Sequence, residues 1–317
     1  LIKKHARAMG QVRQAGIIER ENAINVSDVM LVCTKCNRPT RIGLRFLGEY
    51  PGREEATEVA AVVGPLLEER KEFARAGDLY EDVASRFPKN EVSPRFLFRA
   101  GRLAESRGLP EAAERRYSTY RARYPSPEWM WTYATLYAGL AARGRGDAKN
   151  SNRLVEEGLR KVDGGMDVGS HRELAELAGK ARIAVGENLA EQFRNARLVV
   201  PLEKSLAVKD RYFRQALAAF AKAESGPSLE LSLQATQLTG DLFVEFGNAI
   251  LESQRPKGLT GSDRESYEEA LKARARSFYE RSVEWYAGAL ERLEKEGGGA
   301  ELAVPIRKRL TAATARL

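Results

Sequence analysis

The sequence predicts a mainly α-helical chain: a solenoid of helical hairpins preceded by a small β element. Three observations carry this expectation. From Glu54 onward, Pro88, Gly108-Leu109-Pro110, Pro125-Ser126-Pro127, Gly144-Arg145-Gly146 and Gly164-Gly165 cut the chain into pieces of about 12–20 residues, the lengths of helices. A pattern of small and aromatic residues recurs 37 residues apart, and a period in that range marks stacked helical units. The first fifty residues stand apart: they hold nine Lys/Arg against four Asp/Glu, an excess of five within a whole-chain net charge of +8.

The β element comes first. Ile24, Val26, Val29 and Leu31 alternate imperfectly with Asn25, Ser27 and Met30, and Val29-Met30-Leu31-Val32 is an apolar run of strand length. Thr34-Lys35 and Asn37-Arg38-Pro39 supply turn residues. Ile42, Leu44 and Phe46 then alternate with Arg41, Gly43 and Arg45, a period of two that predicts a strand with one apolar and one basic face. Residues 23–46 therefore predict a basic β-hairpin with Cys33-x-x-Cys36 at its tip. A structural zinc site needs four ligands in tetrahedral geometry, and only His5 offers a third nearby. The pair is read as two reduced thiols in a turn, and no metal or cofactor is expected.

The stretches 1–5 (LIKKH), 16–19 (GIIE), 23–32 (AINVSDVMLV) and 35–45 (KCNRPTRIGLR) closely resemble the second half of a bacterial KOW-type ribosomal protein family, the twenty-fourth of the large-subunit series. The likeness spans about residues 1–47 and is collinear and nearly ungapped. It implies part of an SH3-like barrel that binds large-subunit rRNA early in assembly. It also implies that Lys3, Lys4, His5, Arg7, Arg13, Lys35, Arg38, Arg41 and Arg45 fall where the family presents rRNA-facing basic residues. Independently of the family, a charge excess concentrated on a small segment is the footprint of a phosphate-binding surface.

The helical part follows. AGDLYEDVASRFP (76–88) and AERRYSTYRARYP (113–125) align with Ala76 on Ala113, Tyr80 on Tyr117, Phe87 on Tyr124 and Pro88 on Pro125. Upstream, Ala60, Val63, Gly64 and Leu67 match Leu97, Ala100, Gly101 and Ala104 at the same offset. Small residues let two helices approach closely, the aromatics fill the gap beside them, and the terminal Pro stops the second helix. Over residues 57–125 this resembles the tetratricopeptide repeat, with a loop lengthened by three residues at 90–92. A third unit is expected with Trp131 and Ala134 in the corresponding places. Ala216, Phe220 and Ala223 read as another second helix, and residues 238–246 as a first helix.

Ser170-x-x-Glu173 and Ser262-x-x-Glu265 read as capping boxes, and Pro110 and Pro127 suit a first helical position. Residues 263–295 predict one long amphipathic helix, or two broken near Gly288, and the GGG at 297–299 a hinge before a short basic helix at 301–317. Three regions are expected: a ribosomal-type β segment at 1–50, tetratricopeptide-like repeats at 51–165, and a further helical region at 166–317.

The pattern of reactive residues argues against catalysis. The chain has two Cys and two His. No Ser, His and Asp stand at catalytic spacing, and Gly144-Arg145-Gly146-Asp147 lacks the Lys-Ser/Thr of a phosphate loop. His171 is read as a solvated first-turn residue, and Glu68-Glu69-Arg70-Lys71 as a solvated helix face. No membrane span, enzyme activity or small-molecule substrate is expected, and a cytoplasmic location is. A binding face is expected where Arg95, Phe98, Arg102 and Glu105 share one side of a helix at spacings of three and four. Guanidinium groups beside an aromatic ring could hold an acidic or C-terminal segment of a protein partner. Solvated arginines on a helix surface give the same pattern.

Two functions from different classes follow. One is a ribosomal, rRNA-binding segment fused to a helical protein-interaction scaffold. The other is a scaffold for a bacterial protein complex, resembling envelope-associated repeat proteins at its RFP and RYP junctions, with a non-functional ribosomal-protein remnant at its head.

Overall fold

The structure, a computed structural model, describes residues 46–317 in full and, before them, only the backbone of 2–6, 16–20, 31–32, 39–40 and 42–45. In that head, β1 (Ile2–Ala6) pairs antiparallel with β2 (Gly16–Arg20), and β3 (Leu31–Val32) with β4 (Pro39–Thr40). Cys33 and Cys36 lie outside the described residues. The strand expected over 41–46 is instead α1 (Ile42–Glu49). The sequence there suits either period, because Phe46 and Tyr50 are also one helical turn apart. Their rings meet at 5.4 Å, and Tyr50 N–H donates to Phe46 O at 2.8 Å, contacts that an extended strand would pull apart.

The chain divides into two compact units, Leu1–Phe96 and Leu97–Leu317. The division falls inside α4 (Ser93–Ser106). In the first unit, α2 (Ala56–Glu69) and α3 (Phe73–Arg86) form a hairpin. Ala60 and Ala76 are fully buried where the two helices meet. A Cβ at Gly64 would overlap the Tyr80 ring, so this position admits only glycine without a shift. The Tyr80 ring stacks on Phe96 at 5.1 Å.

The second unit repeats the device. Gly101 of α4 faces Tyr117 of α5 (Pro110–Arg123), where an added Cβ would stand 2.6 Å from Tyr117 Cε1. The third unit expected from sequence is present as α6 (Glu128–Gly144) and α7 (Ala148–Asp163), but in another register. Its close approach is at Gly139, 38 residues after Gly101, and is met by Val155 and Leu154 instead of a tyrosine. Trp131 does not take the expected place; its indole N–H donates to Arg121 O at 3.3 Å.

The turns repeat as well. Lys71, Gly108 and Gly146 all take left-handed backbone, with φ of 60°, 67° and 81°. Each lets a following N–H reach back to close the preceding helix: Glu72 to Leu67 O at 2.8 Å, Leu109 to Ala104 O at 3.0 Å and Asp147 to Ala142 O at 3.0 Å. Lys71 performs with a side chain what glycine performs in the other two.

Longer hairpins complete the unit. α8 (Arg172–Asn195) pairs with α9 (Leu202–Glu224), and Gly186 abuts Phe220. α10 (Leu229–Leu251) pairs with α11 (Gly261–Lys295), where Gly240 and Gly247 receive Tyr286 and Tyr279. α11 runs unbroken through Gly288, and the expected basic helix is α12 (Ala300–Thr314), which seats Ile306 and Ala313 beside Leu233 and Tyr286. α6 packs on α8 and α8 on α10, so these first helices adjoin one another. Lys209 is 2% exposed and donates to Phe193 O at 2.7 Å and Ala196 O at 3.0 Å, a cation on the last carbonyls of α8.

Neither expected capping box forms. Ser170 Oγ donates to Asp167 at 2.5 Å, and α8 starts after His171, whose side chain makes no cap. Ser262 lies inside α11, which starts after Thr260. Pro110 does take the first turn of α5, whereas Pro127 is the residue before α6. None of the described helices is long and apolar enough to cross a membrane.

Two substitutions separate these effects in urea unfolding. Lys71→Gly removes left-handed strain and is expected to stabilise by roughly 1 kcal/mol. Gly101→Ala gains helix propensity but overpacks against Tyr117, and is expected to destabilise by about 1–2 kcal/mol net.

Candidate protein-binding site

Phe98, Arg102 and Glu105 are brought together on α4, and the structure adds partners that the sequence did not indicate. Phe98 is 6% exposed and sits among four rings. Its centroid lies 5.4 Å from Trp129 and 5.5 Å from Tyr133, both edge-on, and 5.7 Å from Tyr117 and Tyr120. This is the geometry in which aromatic pairs gain most. Phe98 is thus an aromatic core residue and not an open contact. Arg95 is exposed on the same helix, within the first unit.

Glu105 collects donors. Tyr117 Oη donates to it at 2.9 Å, Tyr133 Oη at 3.0 Å, and Arg102 Nη1 at 3.1 Å. The Arg102 guanidinium lies 5.0 Å over the Tyr133 ring, and its second arm reaches Glu173, near the start of α8, at 2.5 Å. Burial alone would lower the Arg102 pKa, but Tyr133, Glu105, Tyr117 and Glu173 outweigh it and raise it further. Burial pushes the Tyr117 and Tyr133 hydroxyls well above the usual tyrosine range, and Glu105 adds to the effect in both. His171 is half-buried and stacks flat on Trp129 at 4.3 Å, so it is not the solvated residue expected from sequence.

The Arg102 site is one station in a series of pairs tying helices of this unit. Arg143 of α6 meets Glu187 and Asn188 of α8 at 3.0 Å each. Arg194 of α8 meets Glu245 of α10 at 2.9 Å. Arg309 of α12 meets Asp241 of α10 at 3.0 Å, and Asp241 also accepts from Tyr286 Oη at 2.6 Å. Within the Arg102 cluster the most exposed carboxylate is Glu173, with 62% of its side chain open. An incoming carboxylate would reach the guanidinium by replacing it. Among the described residues no group of His, Cys, Asp and Glu is placed to hold a metal ion.

Of the residues expected to face rRNA, Lys3, Lys4 and His5 fall on β1, where the backbone alone is described. Arg7, Arg13, Lys35, Arg38 and Arg41 lie outside the described residues, and Arg45 is described only as backbone within α1.

The family described as Large ribosomal subunit protein uL24, C-terminal domain, matches residues 1–57. The Large ribosomal subunit protein uL24 of Dehalococcoides mccartyi is 59% identical over 49 residues, 16% of this chain and 48% of that protein. That of Thermomicrobium roseum is 61% identical over 46 residues, 14% of this chain and 40% of that one. That of Roseiflexus castenholzii is 39% identical over 71 residues, covering 22% and 64%. The chain spans about half the length of the curated relatives it matches. Among solved structures, a TPR repeats protein from Bacteroides fragilis aligns over 80% of this chain and 96% of its own, at 14% identity and a TM-score of 0.40. At that score the helical-hairpin description rests on the hairpins themselves.

The tyrosine cluster predicts a pH dependence. Tyr117 and Tyr133 are held above the ordinary value of 10.0 in the fold and return to it on unfolding. Their neutral forms therefore contribute stability that is fully present below pH 10.0 and lost as pH rises beyond it. Thermal melts are expected to fall steeply above that pH, and Tyr133→Phe is expected to make the fall shallower.

Proposed function

We propose that the chain is a non-enzymatic, cytoplasmic protein of two parts: an rRNA-binding segment of large-subunit ribosomal type over about residues 1–50, and a helical scaffold for protein partners over 51–165 and 166–317. The observation that carries the first part is the collinear uL24-type match, which coincides with the local cationic excess. Phosphate backbones are neutralised by such clusters with release of counterions, which gives affinity and a steep salt dependence together. Lys3, Lys4, His5, Arg7, Arg13, Lys35, Arg38, Arg41 and Arg45 are assigned to that contact.

The second part is supported by the hairpins and by the Arg102 cluster. In this reading Arg95, Phe98, Arg102 and Glu105 serve an acidic or C-terminal segment of a partner. Glu105 and the Tyr133 ring hold the Arg102 guanidinium in place, Phe98 packs edge-on against Tyr133, and the partner's carboxylate exchanges with Glu173. A pre-positioned guanidinium loses little freedom on binding, which favours the exchange.

For the first part, the test is filter binding of a large-subunit rRNA fragment across a salt series. Affinity is expected to fall linearly on a log–log plot. Reversing Lys35, Arg38, Arg41 and Arg45 to Glu is expected to flatten the slope by roughly 0.7–0.9 for each phosphate no longer neutralised. Binding unchanged by that reversal overturns the assignment.

For the second part, fluorescence anisotropy with a short acidic peptide ending in a free carboxylate gives a sign test. Glu173→Ala is expected to tighten binding about fivefold, and Arg102→Ala to abolish it. If Glu173→Ala weakens binding, the exchange is wrong.

A further inference from the structure

Ten large apolar residues are exposed among those described, and four of them fall between positions 199 and 208: Val199, Val200, Leu206 and Val208. Val208 stands about 200° around α9 from Leu206, so the exposed residues to weigh with Leu206 are Val199 and Val200, and exposed apolar residues gathered beside a groove mark a contact. Leu206 lines a groove of about 410 Å³ between α9 and α11, and so does Leu198, the residue that leads into Val199 and Val200. Phe246 and Ile250 of α10 floor the groove, and Leu202, Leu271 and Phe278 join Leu206 in its walls.

The segment bearing Val199 and Val200 is held in place. Leu198 O accepts from Gln254 N–H at 2.9 Å, and Val200 N–H donates to Gln254 Oε1 at 2.9 Å. Val199 N–H donates to Ser205 Oγ at 3.1 Å, and Ser205 Oγ donates to Val199 O at 2.7 Å. The backbone polar groups are satisfied inward while the two valines are each 45% exposed to water. A ridge fixed in this way gives up little conformational entropy on docking.

The charges on the rim identify the occupant. On α9, Asp210 is paired with Arg214 at 2.8 Å, but Glu203 has no ion-pair partner among the described residues. On the opposite wall, Arg274 of α11 lies over the Phe278 ring at 5.6 Å and has no carboxylate partner among the described residues. The groove thus has an apolar floor and walls with exposed Leu206 among them, the Val199–Val200 turn follows directly from Leu198 in its lining, and an unpaired acid stands on one wall and an unpaired base on the other.

We infer that this face is a twofold self-association surface, and that its occupant is a second copy of this chain. Twofold contacts require a patch complementary to itself. A two-fold axis sets α9 of one copy against α11 of the other, places each Val199–Val200 ridge in the opposite groove, and pairs each Glu203 with the second copy's Arg274. The inference is independent of the RNA and peptide assignments, because it uses none of their residues.

The test is the mass of the full chain by light scattering at tens of micromolar protein. Twice the 35.2 kDa chain mass is expected. Leu206→Glu, at a position 38% exposed and therefore tolerant in the monomer, is expected to give the 35.2 kDa species with unchanged helical circular dichroism. Arg274→Glu is expected to weaken association about tenfold or more, and adding Glu203→Arg in the same chain to restore it. A wild-type chain that stays at 35.2 kDa overturns the inference, as does a dimer indifferent to Leu206→Glu and Arg274→Glu. A monomer that instead docks a foreign helix or a lipid vesicle on this face overturns it too.

Discussion

The close approach of paired helices at a glycine is the constraint on which the rest of the fold depends. Where a first helix has no side chain, a ring from its partner can lie against bare backbone, as Tyr80 does at Gly64, Tyr117 at Gly101, Phe220 at Gly186 and Tyr286 at Gly240. Burying a tyrosine that deeply creates a hydroxyl that must be satisfied, because an unpaired buried donor costs about 1–3 kcal/mol. In the first two hairpins a glutamate one turn beyond the glycine meets that need: Glu68 for Tyr80 and Glu105 for Tyr117, each at 2.9 Å. Spacing, acid and aromatic belong to a single solution.

The same acid then determines what the Arg102 region can do. Glu105 takes two tyrosines and a guanidinium, so Arg102 is anchored by groups already needed for packing. Buried charges are tolerated only when paired and hydrogen-bonded, and those of this cluster are. What remains open to exchange is the arm held by Glu173, because that carboxylate is half in water and comes from a helix distant in sequence. Recognition in the proposed reading is substitution of one carboxylate for another and not the filling of an empty groove.

The parts legible in the sequence were those set by local spacing. Tyr80 and Tyr117, Gly64 and Gly101, and Pro88 and Pro125 state the hairpin directly, since the partners lie within a few turns of each other. The third hairpin was expected, but one inserted residue shifts its register: Gly139 stands 38 residues beyond Gly101, where a strict period of 37 gives Ala138, and the places assigned to Trp131 and Ala134 do not follow from either. Residues 41–46 misled because three alternations fit a strand and a single helical turn alike. Ser170 matched a capping pattern, yet Asp167 engages its hydroxyl first. The cluster around Arg102 was half legible: Phe98, Arg102 and Glu105 share a helix face, but nothing local connects them to Glu173, or Trp129 to His171.

The third hairpin breaks the scheme in a coordinated way. Val155 stands where the tyrosine would be, Arg143 where the glutamate would be, and Arg143 turns outward to Ala184 O, Glu187 and Asn188 of the next hairpin. With no ring hydroxyl to satisfy, that position is released from holding its own pair and ties two pairs together. A module bonded to itself can melt alone; a module bonded to its neighbour melts with it. Arg143 thus joins Arg102, whose second arm already reaches Glu173, in tying one pair to the next, so the hairpins of this unit share their fate on unfolding instead of fraying one at a time.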